Sequence, residues 1–227
     1  DSLLLESDPK GEVSSCDPPP DAIQQMHAAV GAVSSAVKSA SSAVRGRRSN
    51  KFKGWGKLIE LCTSEQSNLG IAANDFDSVE VIRVTKSVDW SDPQTICQVT
   101  DLVRDNPGIS LHGSLPCTVW TQWQTMCIHL YGEEYARGLE ERRLRSRKML
   151  QAFLSLARLV LAGGGDVSFE WPSSCKGWLL PELLKFIVEF DLLTCNVDGC
   201  ALDVTNNKGE PILKRWRFIT SNRRVHS

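Results

Sequence analysis

The sequence predicts an α/β fold of Rossmann-like type: a mostly parallel sheet with a C-terminal antiparallel hairpin, preceded by a flexible or helical N-terminal arm. Three observations carry that expectation. From Trp55 onward, short β-rich runs alternate with helical patterns. The run Ile109-Ser110-Leu111-His112-Gly113 passes through Ser114-Leu115 into the Pro116-Cys117 turn, and the run from Asp166 to Trp171 stops at Pro172. Two late runs, Leu192 to Val197 and Ile212 to Thr220, flank the turn signal Asn206-Asn207-Lys208-Gly209 and read as a hairpin.

Composition sets the limits. With 227 residues, 41% hydrophobic and 23% charged, the chain can hold one domain of ordinary size plus an arm. No apolar run approaches the roughly 20 residues that span a bilayer, so no membrane partner is expected. The eight cysteines lie mostly inside apolar runs. That suits reduced thiols in a nuclear or cytoplasmic protein better than a disulfide framework.

Residues 1–20 are polar, close on Pro18-Pro19-Pro20, and bury too little apolar surface to fold, so they are expected to be disordered. Asp21 then caps a pattern in which Ile23, Met26, Val30, Val33, Val37, Ala40 and Val44 recur at spacings of three and four. This amphipathic stretch and its basic linker fill 21–53. It fits a homo-oligomer joined through residues 21–45 as well as a lone, weakly helical linker, because Gly31, the serines and the small seam side chains weaken it.

The domain is expected over 54–222, with 223–227 as a tail. Lys57 to Cys62 reads as a buried strand, followed by a polar loop over Thr63 to Asn68, and Val79 to Thr85 as a second strand. Gly70 to Val79 is too short for a full crossover helix. Asp92 or Ser91 caps a helix over Thr95 to Val103. After the Cys117 turn comes an aromatic-rich segment, Trp120 to Tyr131, and then a long helix from about Tyr135 to Ala162, ended by Gly163-Gly164-Gly165. A helix with proline in its first turn follows over Pro181 to Phe190.

Reactive groups fall at strand ends. In open α/β sheets, ligands collect beyond the carboxyl ends of the strands, so adjacent parallel strands would set Cys117 and Glu170 on one rim. A net charge of -1 hides three basic clusters: Arg45 to Lys53, Arg142 to Lys148, and Lys214 to Arg224. Phosphate neutralisation depends on local charge, so nucleic acid is a partner class these clusters fit, though each also reads as a solvated face. No Cys-x-x-Cys pair is present, and Cys175, Cys195, Cys200 and His226 fit no ordinary zinc finger, so no metal is expected.

The ordered set Glu60-Leu61-Cys62, Asp89, Leu115-Pro116-Cys117-Thr118, Phe169-Glu170-Trp171-Pro172 and Lys214-Arg215-Trp216-Arg217 resembles the motif order of DNA cytosine-5 methyltransferases. In particular it is similar to the divergent methyltransferase-like domains in polyproteins of protist mobile elements. The resemblance covers about residues 55–222. It implies a methyltransferase-type sheet, S-adenosylmethionine as cofactor and DNA as partner. It also implies Cys117 as nucleophile, Glu170 as the group on the base edge, and Arg215 or Arg217 supporting a flipped base. Glu60, Ser64 and Asp89 are then the cofactor-binding candidates, with Ser64, Glu65 and Ser67 where such loops carry glycines. Two other classes stay open: a catalytically degenerate nucleic-acid-binding module, and a structural or assembly domain.

Overall fold

The computed structural model describes residues 56–75, 79–85, 87–202 and 204–226. The expected disordered stretch, the heptad pattern and the first basic cluster lie outside the described residues.

Six strands, β1 (Lys57–Thr63), β2 (Glu80–Thr85), β3 (Ser110–Gly113), β4 (Val167–Pro172), β5 (Leu193–Asp198) and β6 (Arg215–Thr220), form one sheet in the order β2-β1-β3-β4-β6-β5. The pairs β1/β2, β1/β3 and β3/β4 are parallel, whereas β6 runs antiparallel to both β4 and β5. The expected α/β class and mixed sheet are therefore present. The helices are α1 (Asn68–Ala73), α2 (Pro93–Asp105), α3 (Trp123–Ala162), α4 (Pro181–Glu189) and α5 (Arg223–His226). The four residues of α5 fall within the expected tail, and the backbone N–H of Arg224 is held by the Asn222 side chain at 2.9 Å.

Local chemistry explains the helix ends. Asp92 caps α2 by accepting from the Thr95 N–H at 2.8 Å, and Pro93 sits where its missing N–H costs nothing. α3 begins at Trp123, a dozen residues before the expected Tyr135, because the aromatic segment is itself helical. Gly132, at φ 71 and ψ -156, joins the two pieces in a conformation that side chains resist, and this interruption hides the first piece from a periodicity reading.

The larger core cluster lies on one face of the sheet, and a smaller one, built on Trp216 and Phe218 with Val204, lies on the face that Glu170 shares. Strand alternation sets Ile59 and Leu61, Leu111, and Val167, Phe169 and Trp171 on the face that packs with Val99 and Val103 of α2 and with Leu150, Phe153, Leu156, Ala157 and Val160 of α3. The opposite face carries a polar row in register: Arg83, Glu60, His112, Ser168 and Thr220. His112 Nδ1 and Ser168 Oγ are 2.8 Å apart, which satisfies both across the β3/β4 pair. Among the described residues, no helix is long and apolar enough to cross a membrane.

Candidate active site at the carboxyl rim of the sheet

β1 lies between β2 and β3, so the chain reverses its direction of travel through the sheet at β1. The carboxyl ends of β1 and β3 mark the switch point, the position where α/β sheets place ligands. Backbone irregularity concentrates there. The β1/β2 register shifts between Leu61 and Thr63, and Cys62 adopts φ 60, a left-handed conformation uncommon outside glycine. Strain of this kind persists only where surrounding structure enforces it.

β3 delivers Cys117. Its last residue, Gly113, leads into Ser114, whose N–H donates to the Leu61 carbonyl at 3.3 Å. The Leu115 carbonyl then accepts from Trp171 Nε1 at 2.7 Å. Beyond the turn, the Trp120 N–H donates back to the Cys117 carbonyl, Trp120 Nε1 donates to Ser146 Oγ at 2.8 Å, and the Arg143 guanidinium lies over the Trp120 ring. Cys117 is thus fixed from β1, β4 and α3. It is 4% exposed, and burial pushes its thiol pKa up against the opposing field of Lys214.

β4 delivers Glu170 beside it. The carboxyl is 5% exposed and accepts a hydrogen bond from Ser114 Oγ at 3.0 Å. Desolvation raises its pKa from the ordinary 4.5 to about 7, so it exchanges a proton near neutrality. Glu60 and Lys214 both act on it electrostatically, and Lys214 also acts on Cys117. The thiol of Cys175, in the turn after β4, is pushed up to about 12 by burial, with a smaller contribution from Cys117. Cys117, Glu170 and Lys214 therefore act on one another electrostatically, and Ser114 holds the Glu170 carboxyl.

The other residues expected at the site are placed differently. Arg215 pairs with Asp198 across the β5/β6 edge, Nε to Oδ1 at 2.6 Å, and its exposure means the pair adds little stability. Arg217 stacks over Trp178, with its Nε buried and without a hydrogen-bond partner. Register explains both: Glu170 is opposite Phe218 and Trp171 is opposite Arg217, so Arg215 and Arg217 alternate onto the face away from Glu170. Lys214, one residue earlier, shares the alternation of Trp216 and Phe218. The period-2 pattern is present in the sequence, but only the β4/β6 register shows which set shares the face of Glu170.

Among the cofactor-binding candidates, Glu60 is sealed. Its two carboxylate oxygens accept from Thr63 Oγ1 at 2.8 Å and Ser67 Oγ at 2.5 Å, and burial raises its pKa. Ser67 also caps α1 by accepting from the Gly70 N–H, and receives Arg83 Nε at 3.1 Å. Ser64 is half-buried in the loop between β1 and α1. Asp89 is at the surface beyond β2, where the Ser91 hydroxyl and N–H hold its carboxyl below the usual range.

Comparison with protein-family models, with curated proteins and with solved structures returns no match. The second basic cluster is partly committed internally, with Arg147 bound twice by Glu182, at 2.8 and 3.0 Å, and Arg143 paired with Glu140. Among the described residues, no three His, Cys, Asp or Glu side chains are grouped to hold a metal ion.

Proposed function

We propose that this chain is a methyltransferase-like domain of Rossmann type that acts on cytosine in DNA, with Cys117 as nucleophile and Glu170 as acid. The observation that carries the reading is the pairing of a thiol and a near-neutral carboxyl on adjacent strand ends beside the switch point. The parallel strands followed by the antiparallel β5/β6 pair support it, as the layout the resemblance implies.

Carbon 5 of cytosine, in an electron-poor conjugated ring, is too weak a nucleophile to take a methyl group unaided. Cys117, as thiolate, adds to carbon 6, while Glu170 gives its proton to ring nitrogen 3; carbon 5 then carries enamine-like nucleophilicity. Loss of the carbon 5 proton to water then re-forms the 5,6 double bond and expels the thiolate, and the proton on nitrogen 3 returns to Glu170. S-Adenosylmethionine, when bound, supplies the electrophilic methyl group. Ser64, in the loop after β1, and Asp89, beyond β2, are the residues that would hold its polar groups; Glu60, with its oxygens already bound, would not. The base must leave the stack to reach a thiol this deep.

DNA containing 5-fluorocytosine tests this. With S-adenosylmethionine present, the adduct is expected to stall because fluorine cannot leave as a proton does, and the bound peptide should contain Cys117. Cys117→Ala should abolish trapping. The sealed Glu60 carboxylate and the buried thiol favour a second reading, a catalytically degenerate nucleic-acid-binding module. Both readings predict DNA affinity that falls steeply between about 50 and 200 mM salt, since Lys and Arg release counterions on binding phosphate. Salt-dependent binding without a trap would select the second; binding insensitive to salt would remove both and leave the assembly class.

A further inference from the structure

We propose that Arg217, with Asn196 beside it, forms a phosphate-binding site on the sheet face away from Glu170, taken by the backbone of a nucleic acid. The site rests on the nucleic-acid partner common to both readings above, and not on chemistry at Cys117. Arg217 is opposite Trp171 on β4 and opposite Asn196 on β5. Strand alternation therefore sets the guanidinium and the exposed Asn196 amide side by side on one face, with their Cβ atoms roughly 5 Å apart. Among the described residues neither side chain has a hydrogen-bond partner, and the Arg217 Nε is shut away from water.

A half-buried guanidinium with unbonded N–H groups costs stability until an anionic acceptor arrives. The carboxylates on the neighbouring elements are already taken. Glu182 and Glu189 of α4 hold Arg147 and Arg158, and Asp198 of β5 holds Arg215 through both oxygens. The counter-charge for Arg217 is therefore a ligand's. The cation is also set in advance: its guanidinium carbon lies 5.5 Å from the ring centroid of Trp178. That ring is 3% exposed, its Nε1 donates to the Pro172 carbonyl at 3.0 Å, and it meets Phe169 and Trp171 edge-on. A flat fork of N–H donors over a fixed surface, with an amide donor next to it, matches two oxygens of one phosphate. β5 is the outermost strand of the sheet, so a polymer backbone can run along the edge past Asn196. The base-supporting role that the resemblance implies would need the other face.

Two measurements on the full chain test the site: fluorescence anisotropy of a labelled DNA duplex across a salt series, and thermal melting with and without inorganic phosphate. Neither contains S-adenosylmethionine, so their outcome is separate from that of the covalent trap. Arg217→Met should weaken DNA binding about tenfold and make the slope of log affinity against log salt shallower by about 0.9, the share of one phosphate. Arg217→Lys should keep the slope, because the charge stays, and lose part of the affinity with the fork. Asn196→Asp places a carboxylate opposite Arg217 and should weaken binding by a similar factor; Asn196 is exposed, so this variant carries the test if Arg217→Met fails to fold. Salt-dependent binding by the parent with the same affinity and slope in both variants overturns the site and leaves the function reading standing. Loss of phosphate-dependent stabilisation in the variants with unchanged DNA binding overturns nucleic acid as the occupant and gives the site to a free phosphate group. A parent protein that answers neither probe overturns the proposal outright.

Discussion

Glu170→Gln is expected to unfold less readily than the parent protein at pH 8, by about 3 kcal/mol, and to differ little from it at pH 4. The carboxyl titrates at about 7 in the folded protein against an ordinary 4.5, with desolvation as the main cause. Between those values the folded state holds a proton that the unfolded chain has released. Stability from this group is therefore full below 4.5, falls as pH rises through 7, and stays low above it. Glutamine has nearly the same shape, can still meet Ser114 Oγ, and never ionises, so the loss disappears. The same change should lower covalent trapping by about 10²- to 10⁴-fold, because the proton donor is gone. Urea melts of both proteins from pH 4 to 9 give the first result, and superimposable pH profiles would show that Glu170 is not an elevated acid.

His112 makes that comparison sharper. Its imidazole, partly buried between β1 and β4, has its pKa lowered by desolvation from 6.5 to about 4. A depressed basic group has the reverse linkage: the unfolded chain takes up a proton that the folded one refuses, so stability rises with pH from about 4 to 6.5. The two effects oppose each other between 4.5 and 6.5 and are similar in size. Glu60, raised in the same direction as Glu170, remains in the variant and moderates the slope. The parent protein should thus be nearly flat over that window, while Glu170→Gln should gain stability as pH rises.

How much of this was legible depends on the kind of signal. Strand alternation, the Asp92 cap with Pro93, and the terminal hairpin are local, so the sequence carries them. The shared rim of Cys117 and Glu170 was also legible, because both follow from short strands ended by proline turns. The first half of α3 was not, since Gly132 interrupts the period on which a helix is recognised. Nor was the fate of the cofactor candidates. Whether Glu60 faces a ligand or is bound by Thr63 and Ser67 depends on where a loop seven residues downstream folds back. Choosing among Lys214, Arg215 and Arg217 needed the β4/β6 register, which only pairing across more than 40 residues defines.

The largest effect on stability should come from Phe153. It is fully buried in α3, its ring centroid 5.0 Å from that of Phe169, and it lies under the end of β3. Phe153→Ala should cost about 3–5 kcal/mol, as expected for a large side chain removed from a site that cannot collapse around the void. The neighbouring constraint is Gly113. A Cβ there would meet the Phe153 ring at 2.5 Å and the Phe169 ring at 3.0 Å, so both packed rings would have to move. Gly113→Ala should therefore cost about 1–3 kcal/mol by overpacking. Because the two residues contact each other, Gly113→Ala combined with Phe153→Leu should cost less than the sum of the single changes, the smaller side chain leaving room for the added methyl. Denaturant unfolding of the four proteins measures that coupling, and simple additivity would mean the rings are not what excludes a side chain at 113. Gly113 directly precedes Ser114 and the Cys117 turn, so the same overpacking should also disturb the loop. Cys117 alkylation should change in Gly113→Ala and recover in the double variant, which ties the packing of this core to the placement of the thiol.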